Sequence, residues 1–226
     1  MTESNESGGT LYVVATPIGN LEDISARALR VLGEVDLIAA EDTRTTRKLL
    51  TRHDLHVRLV SLFDANVRRR IPQLLAELGE GKSIALVSEA GTPLISDPGA
   101  QLVKAAAEAG HTVTPIPGPT AIAALLSVAG LPADKFTFLG FLPRRAGQRR
   151  RMIEAISEQE WPTVLYESPH RIIATLEALR DVLGDRETVI GREMTKLHEE
   201  IFRGTLSEAI EHFEKPRGEF TIVVAG

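Results

Sequence analysis

Short apolar runs alternate with amphipathic stretches along the first half of the chain. The run at 11–15 has the length and apolar character of a buried strand, and the apolar positions in 24–32 have helical spacing. Strands that alternate with helices are typical of a parallel sheet covered by helices, so we expect an α/β subdomain with a mostly parallel sheet. The alternation predicts further strands over 35–40, 59–62, 83–87 and 112–116, and helices over 43–52, 67–78 and 99–110.

The pattern changes after Pro115-Ile-Pro-Gly-Pro119, the densest cluster of proline and glycine in the sequence. Beyond it, strands follow one another closely, which favours antiparallel pairing. The predicted helices span 120–129, 148–157, 169–182 and 206–213, and the predicted strands span 136–142, 163–166, 188–192, 200–203 and 220–225. We therefore expect a disordered tail over 1–10, an N-terminal α/β subdomain over 11–117, and a C-terminal α/β subdomain with a mixed sheet over 118–226.

The composition is that of an ordinary globular protein without cysteine. Of the 226 residues, 43% are hydrophobic, which suffices for a buried core. Because cysteine is absent, disulfides, cysteine zinc sites, iron–sulfur clusters and thiol nucleophiles are excluded. The sequence has no apolar run of the roughly 18 residues that span a bilayer, and its polar N-terminus lacks the apolar segment of a signal peptide. We expect a cytoplasmic protein with no membrane association.

Three predicted loops follow strands of the first subdomain, at the edge where α/β sheets bind ligands. The loop at 15–20 lacks the glycine spacing of a nucleotide-binding loop, and by itself it favours a simple turn. In the loop at 39–44, Asp42 or Thr43 is a candidate helix cap. A capping role accounts for the acidic residues of this loop no less well than a functional role does.

The third loop, at 88–99, is long for a connection between a strand and a helix. We expect Asp97 to cap the following helix and Pro98 to occupy its first position. Two residues suffice for that task, and it leaves the segment 91–95 unexplained. Rigid loops at the carboxyl ends of strands bind small molecules, so this segment is a candidate ligand site.

Six blocks occur in order along this sequence: Val13 to Ile24, Ala40 to Arg44, Ala90 to Gly99, Gly140 to Pro143, Tyr166 to Arg171 and Thr195 to Glu200. Together they resemble the small-subunit ribosomal RNA methyltransferase family of the tetrapyrrole methylase superfamily. The resemblance runs from about residue 11 to residue 226. It implies a tetrapyrrole-methylase-like fold of two α/β subdomains, of the class III S-adenosylmethionine-dependent methyltransferases. It further implies S-adenosyl-L-methionine in the cleft between the subdomains, a homodimer, and 2′-O-methylation of a cytidine ribose in 16S rRNA of the small ribosomal subunit.

The resemblance also implies a set of cofactor-binding positions. The sequence departs from the family pattern at three positions: Glu89 replaces the usual Asp, Leu94 replaces a common Gly, and Phe63 lies where a His-containing segment is typical. The changes at Glu89 and Phe63 concern the substrate more than the cofactor. The implied cofactor-binding residues are Pro17, Ala90, Gly91, Thr92, Ile95, Ser96, Asp97, Thr120, Ala121, Tyr166 and Met194.

A ribose hydroxyl is a weak nucleophile at neutral pH, so a base or a strong hydrogen-bond acceptor would assist methyl transfer. The candidate catalytic residues are Glu41, Glu89 and Glu167, with Asp42 as a further candidate. Each of these carboxylates could equally be a helix cap, a salt-bridge partner or a cofactor ligand, and the sequence favours no single one.

Basic residues occur in groups although the net charge is −5. RNA binding requires positive charge against phosphates, and local groups matter more than net charge. The candidate RNA-binding residues are Arg44, Arg47, Arg144, Arg145, Arg149, Arg150, Arg151, His170 and Arg171, with Lys48 and Arg68 to Arg70 as further basic neighbours. The motif H-E-x-x-H is absent, and we expect no metal site.

Two other functions remain open from the sequence. One is a methylase of the same superfamily that acts on a small molecule, such as a precorrin. The other is an RNA-binding or assembly factor without catalytic activity. The grouped arginines favour an RNA substrate over the first, and cofactor binding would exclude the second.

Overall fold

A computed structural model of the chain describes residues 9–226. These residues form two compact units, which meet in sequence between Thr120 and Ala121. Most of the predicted tail, residues 1–8, lies outside the described residues. The prediction is wrong for its last two residues, because the backbone N–H of Gly9 donates to the carbonyl of Leu78 at 2.8 Å and Thr10 begins the first strand.

The first unit is a five-stranded parallel sheet with helices on both faces. Its strands lie in the order β3-β2-β4-β1-β5, and every neighbouring pair is parallel, as the alternating pattern predicts. The pattern does not predict the short 3-10 helix Leu21–Asp23. The strands and helices are β1 Thr10–Val14, α1 Ala26–Glu34, β2 Leu37–Ala40, α2 Thr43–Arg52, β3 Arg58–Ser61, α3 Val67–Gly79, β4 Ile84–Val87, α4 Ala100–Glu108 and β5 Thr112–Ile116.

The central strands of this sheet are apolar throughout because both of their faces are buried. All four residues of β2 and all four of β4 are buried. Ile38 belongs to the apolar cluster on one face of the sheet and Leu37 to the cluster on the other, as the alternation of side chains in a strand requires. This buried sheet holds the loops that follow its strands.

Side-chain caps begin two of the helices that follow these loops. Ser25 Oγ accepts a hydrogen bond from the backbone N–H of Ala28 at the start of α1. The Asp42 carboxylate accepts one from the backbone N–H of Arg44 at 2.7 Å and so caps α2. The capping role predicted for Asp42 is therefore confirmed.

The second unit is a five-stranded mixed sheet in the order β6-β7-β10-β8-β9. Only β6 and β7 are parallel, and the other neighbours are antiparallel, which confirms the pairing expected from closely spaced strands. The central strand, β10, is buried at every position. The elements are α5 Ala121–Ala129, β6 Thr137–Phe141, α6 Ala146–Glu154, β7 Thr163–Glu167, α7 Ile172–Leu183, β8 Glu187–Arg192, β9 Glu200–Thr205, α8 Leu206–His212 and β10 Phe220–Val224.

The helices of both units are short. The longest helix among residues 9–226 is α3, with 13 residues. A transmembrane helix needs about 20 apolar residues. Within this described part of the chain, no helix is long and apolar enough to cross a membrane.

Candidate functional site

Hydrogen bonds join the loops that follow β1, β4 and β5, three adjacent strands of the first sheet. The backbone N–H of Thr16 donates to the carbonyl of Gly91 at 2.9 Å, and the N–H of Gly91 donates back to Thr16 at 3.0 Å. Thr92 Oγ1 donates to the carbonyl of Pro119 at 3.2 Å. The three loops therefore form one connected edge at the carboxyl ends of the strands, where ligands bind in α/β sheets.

Two glycines allow these loops to approach one another closely. Gly91 has φ of 77°, and a Cβ there would lie 3.3 Å from Ile18 Cγ2. A Cβ on Gly118 would lie 3.0 Å from the Cβ of Ala15. The Pro/Gly cluster that marks a subdomain boundary in the sequence is therefore also a point of close packing, which the sequence pattern does not reveal.

The loop at 88–99 has an unusual backbone. Leu94 has φ of 74° and Ser96 has φ of 70°, both in the left-handed region that favours glycine. A non-glycine residue in this conformation costs about 1–2 kcal/mol. Glycine would adopt the backbone conformation of Leu94 without this cost. Strained loops of this kind are characteristic of functional sites.

The capping role predicted for Asp97 and Pro98 is wrong. Helix α4 begins at Ala100, its N-cap is Gly99, and no side chain caps it. Gly99 has φ of 123°, and a Cβ there would lie 3.0 Å from Leu86 of β4, so a glycine rather than a capping side chain occupies this position. The Asp97 carboxylate is half-buried and accepts a hydrogen bond from Ser88, at the beginning of the same loop.

Three carboxylates influence one another at this edge of the sheet. Glu41 directly follows β2, and its carboxylate accepts a hydrogen bond from the backbone N–H of Glu89. Partial burial raises the pKa of Glu41, and the negative charges of Asp97 and Glu89 raise it further. Burial also raises the pKa of Asp97, while the hydrogen bond from Ser88 opposes this shift. We call Glu41, Glu89 and Asp97 the acidic cluster.

The polar groups of this edge fit S-adenosylmethionine. Thr16 Oγ1 is buried and has no hydrogen-bond partner among the described residues, so a polar group is available to a ligand. The acidic cluster complements the positive sulfonium and amino groups of the cofactor. No group of three or more His, Cys, Asp or Glu side chains in residues 9–226 could hold a metal ion.

The predicted cofactor residues are divided between the two units. Those in the first unit lie on the three joined loops, and their assignment stays a prediction. Among them, Pro17 and Gly91 are buried, whereas Ala90 and Ile95 are exposed. The set in the first unit is Pro17, Ala90, Gly91, Thr92, Ile95, Ser96, Asp97 and Thr120, and the set in the second unit is Ala121, Tyr166 and Met194.

The structure contradicts a catalytic role for Glu167. Its side chain, at the end of β7, is fully buried. One carboxylate oxygen accepts from the backbone N–H of Ser168 at 2.8 Å, and the other accepts from Thr175 Oγ1 at 2.7 Å. The Arg171 guanidinium lies 3.6 Å from the second oxygen. Glu167 therefore anchors the start of α7, and a reacting hydroxyl has no access to it.

Arg44 and Arg47 contribute to a basic face on α2. Arg44 is 89% exposed at its side chain and forms an ion pair with Asp42 at 2.9 Å. Residues three or four apart lie on the same face of a helix, which brings these side chains together with further basic neighbours. One of these neighbours, Arg52, is absent from the set that the sequence predicts. One shallow depression is lined by Leu21, Arg44, Arg47, Lys48, Thr51 and Arg52.

The basic group near β6 and α6 has both free and bound members. Arg144 and Arg145 are exposed in the loop before α6, whereas Arg150 pairs with Glu154 at 2.8 Å, one helical turn away. Arg171 is a predicted RNA-binding residue, but it is not available to RNA. Its guanidinium is half-buried and donates to the carbonyl of Leu142 at 2.6 Å. Of the remaining candidates, His170 and Arg151 are exposed and Arg149 is half-buried.

Sequence reasoning misses some residues of the site. Thr16 and Ser88 are small polar residues that directly follow the predicted strands, and only their burial distinguishes them. The Asp-Pro pair at 97–98 has the local appearance of a helix start, and this masks the membership of Asp97 in the acidic cluster.

Comparison with known proteins agrees with this geometry. The family described as Tetrapyrrole (Corrin/Porphyrin) Methylases matches residues 10–210. A Ribosomal RNA small subunit methyltransferase I from Thermotoga maritima is 50% identical over 220 residues, which cover 96% of this chain and 99% of that protein. The protein of the same name from Escherichia coli O157:H7 is 47% identical over 228 residues, with coverage of 99% and 80%.

The fold is also shared with a solved structure of low sequence identity. A cobalt precorrin-4 methyltransferase of cobalamin biosynthesis superposes with a TM-score of 0.72, at 15% identity, and the match covers 100% of this chain and 97% of that one. The expected fold class, two α/β subdomains of the tetrapyrrole methylase type, is confirmed. The family match over residues 10–210 and the relatives near 50% identity show that this chain belongs to the tetrapyrrole (corrin/porphyrin) methylase family.

Proposed function

We propose that this chain transfers the methyl group of S-adenosylmethionine to the 2′-hydroxyl of a cytidine ribose in 16S rRNA of the small ribosomal subunit. The family supports methyl transfer and the cofactor. The names of the relatives from Thermotoga maritima and Escherichia coli support the small-subunit RNA as substrate. The cytidine and the 2′-hydroxyl are those that the sequence resemblance implies.

The observation that carries the proposal is the acidic cluster beside the joined loops. A ribose hydroxyl needs an acceptor for its proton as its oxygen attacks a methyl group. Partial burial, followed by the negative charges of Asp97 and Glu89, raises the pKa of Glu41, so its carboxylate is a stronger base than an exposed one. We assign Glu41 as the acceptor of the hydroxyl proton, with Asp97 and Glu89 as the groups that adjust its basicity.

S-adenosylmethionine, when bound, supplies a methyl group that is electrophilic because it is attached to a sulfonium. Thr16 Oγ1 and the backbone of Thr92 are the polar groups on the joined loops that would hold it. The hydrogen bonds between Thr16 and Gly91 keep this edge rigid before binding, which reduces the entropy lost when substrate and cofactor are aligned.

The distribution of basic residues supports an extended polyanion as the substrate. The first unit carries the basic face of α2, and the second unit carries the exposed Arg144 and Arg145. Phosphate contacts of this kind position an RNA without reading its sequence. Binding of a small-molecule substrate would require fewer cations than these two groups supply.

The decisive experiment measures transfer of labelled methyl groups to small ribosomal subunits that lack the modification. Free 16S rRNA and a porphyrinogen serve as the competing acceptors. We expect label in the RNA, at a cytidine whose 3′-phosphodiester resists alkaline cleavage because the 2′-hydroxyl is blocked. Label only in the porphyrinogen would refute the RNA assignment, and calorimetry without S-adenosylmethionine binding would refute the enzymatic one.

A pair of matched variants tests the role of the acidic cluster in the same assay. Glu41→Gln keeps the size of the side chain and removes its basicity, and we expect transfer to fall by about 10²–10⁴-fold. Glu108→Gln changes an exposed glutamate of α4 and should leave transfer unchanged. Equal activity of Glu41→Gln and the wild type would exclude Glu41 as the proton acceptor.

The proposal extends to assembly and location. We propose that the enzyme acts in the cytoplasm as a homodimer, as its resemblance to the family implies. Light scattering of the purified protein at several concentrations measures the mass directly, and a mass of 24.6 kDa throughout would refute the dimer.

A further inference from the structure

Phe141, at the end of β6, is a large aromatic residue that the proposed function does not use. It lies in the block Gly140 to Pro143, and 52% of its surface is exposed. Because β6 is the edge strand of its sheet, only β7 pairs with it. Single exposed apolar residues are common on protein surfaces, so exposure alone does not indicate a function. The structure around Phe141 adds three further observations.

The first observation is a bulge that brings two aromatic residues of β6 to the same face. The register with β7 shifts between Phe138 and Gly140, and Gly140 has φ of 62°, so Leu139 is an extra residue in the strand. In a regular strand, residues three apart face opposite sides. With the extra residue, Phe138 and Phe141 face the same side. The sequence spacing alone would place them on opposite faces.

The second observation is that these rings support one another. Tyr166 of β7 packs edge-on against Phe138 with ring centroids 5.0 Å apart, and it packs against Phe141 with centroids 5.7 Å apart. The next residue, Leu142, is buried, and its carbonyl accepts the 2.6 Å hydrogen bond from Arg171. The Phe141 ring is therefore held in place on one side and open to solvent on the other.

The third observation is the positive charge beside this ring. Arg144 and Arg145 are exposed and follow Phe141 by three and four residues, which is at most about 14 Å of extended chain. An exposed aromatic ring flanked by cations is the combination that binds single-stranded nucleic acids, since the ring stacks on a base and the cations contact its phosphates.

We infer that Phe141 is a stacking platform for a nucleobase of a single-stranded segment of the RNA substrate, with Arg144 and Arg145 on the adjacent phosphates. The inference rests on the proposed function and specifies its substrate as an unpaired segment. Sequence-specific and single-strand RNA recognition commonly uses bases that are unstacked and placed on aromatic side chains. A base-paired helix could not offer a base face to this ring.

The test measures binding of a short single-stranded RNA oligonucleotide by fluorescence anisotropy at fixed ionic strength. Phe141→Leu retains an apolar side chain without an aromatic face, and we expect it to weaken binding by about 5-fold to 150-fold. Phe141→Trp should retain the affinity. Phe136→Leu is the matched control, since Phe136 is 44% exposed and precedes the opposite end of the same strand.

The salt dependence separates stacking from the electrostatic contacts. Phe141→Leu removes no charge, so the slope of the logarithm of affinity against the logarithm of salt concentration should not change. Arg145→Ala should lower the magnitude of that slope by about 1. If Phe141→Leu weakened RNA binding only because it disturbs the fold, Phe141→Trp should weaken RNA binding as well.

Three outcomes would overturn the inference. If Phe141→Leu binds the oligonucleotide as tightly as the wild type, and the wild type methylates small subunits, stacking on Phe141 is refuted while the proposed function stands. Wild-type protein that neither binds the oligonucleotide nor methylates the subunit would overturn both. A change of oligomeric mass in Phe141→Leu with unchanged RNA affinity would identify this face as a contact between copies of the chain.

Discussion

Gly91 gives the sharpest test of the joined loops, because a single methyl group perturbs them in a defined way. An alanine at this position must adopt φ of 77°, and its Cβ would lie 3.3 Å from Ile18 Cγ2 and 3.7 Å from the carbonyl of Pro119. The left-handed conformation costs an alanine about 1–2 kcal/mol. The contact with Ile18 is tight, and it is relieved only if the loops move apart.

Gly110 provides a control with the same backbone conformation. Its φ is 81°, it follows the end of α4, and a Cβ at this position would have no neighbouring atom within 4 Å. Gly110→Ala should therefore lose the same conformational free energy, about 1–2 kcal/mol, without displacing any neighbour. The difference between the two variants isolates the contact that Gly91 makes with the adjoining loops.

We expect the two variants to lose similar stability in urea unfolding but to differ in cofactor binding. If the strain at Gly91 is relieved by displacing the loop, about 1.4 kcal/mol of it appears as a tenfold weaker affinity for S-adenosylmethionine in calorimetry. Gly110→Ala should bind the cofactor like the wild type. Unchanged cofactor affinity in Gly91→Ala, with stability reduced as in Gly110→Ala, would refute the view that the joined loops shape the cofactor site.

Three further predictions concern charged side chains. Burial raises the pKa of Asp97 above its ordinary value of 3.8. The folded protein therefore binds the proton of this carboxyl group more tightly than the unfolded chain does, and the free energy of unfolding falls as pH rises from about 3.8 through the raised pKa. Asp97→Asn should therefore exceed the wild type in stability at pH 7, and the advantage should vanish below about pH 3. Glu167→Ala should destabilise the protein by about 3 kcal/mol in urea unfolding, since it leaves a half-buried guanidinium without its carboxylate partner. Arg47→Ala should weaken RNA binding and lower the magnitude of the slope of log affinity against log salt concentration by about 1. Arg30→Ala should change neither, since Arg30 pairs with Glu34 of the same helix.

Each of these predictions has a result that contradicts it. A parallel pH profile for Asp97→Asn and the wild type would show that this carboxylate ionises as it does in water. If Glu167→Ala is as stable as Glu177→Ala, an exposed change on α7, the buried carboxylate does not anchor that helix. Equal salt slopes for Arg47→Ala and Arg30→Ala would remove α2 from the RNA-binding surface.

Local pattern predicts the elements of this fold closely. The sequence places helix α2 over 43–52 and strand β5 over 112–116, and the structure has both with those bounds. The parallel sheet of the first unit and the mixed sheet of the second also follow from the spacing of strands and helices. These features depend on side-chain periodicity and on residues within a few positions, which the sequence displays directly.

The sequence predicts the candidate site only in part. The loop at 88–99 and two members of the acidic cluster, Glu41 and Glu89, are identified from their positions after strands. The cap assigned to Asp97 is wrong, since the N-cap of α4 is Gly99, which lies close to Leu86, a residue of β4. The role expected of Glu167 is wrong for a similar reason, because nothing in the local sequence shows that Thr175 and Arg171 enclose it.

The sequence by itself determined the elements, the α/β class and the family, because hydrophobic periodicity and ordered motifs are local properties of the chain. The tertiary structure alone decided which polar groups meet. It brought Glu41, Asp97 and Glu89 together from the ends of β2 and β4, and it left Phe141 exposed while it buried Glu167. Strand order, bulges and close backbone approaches arise from packing between distant segments, and that packing sets the burial and charge on which the chemistry of the site depends.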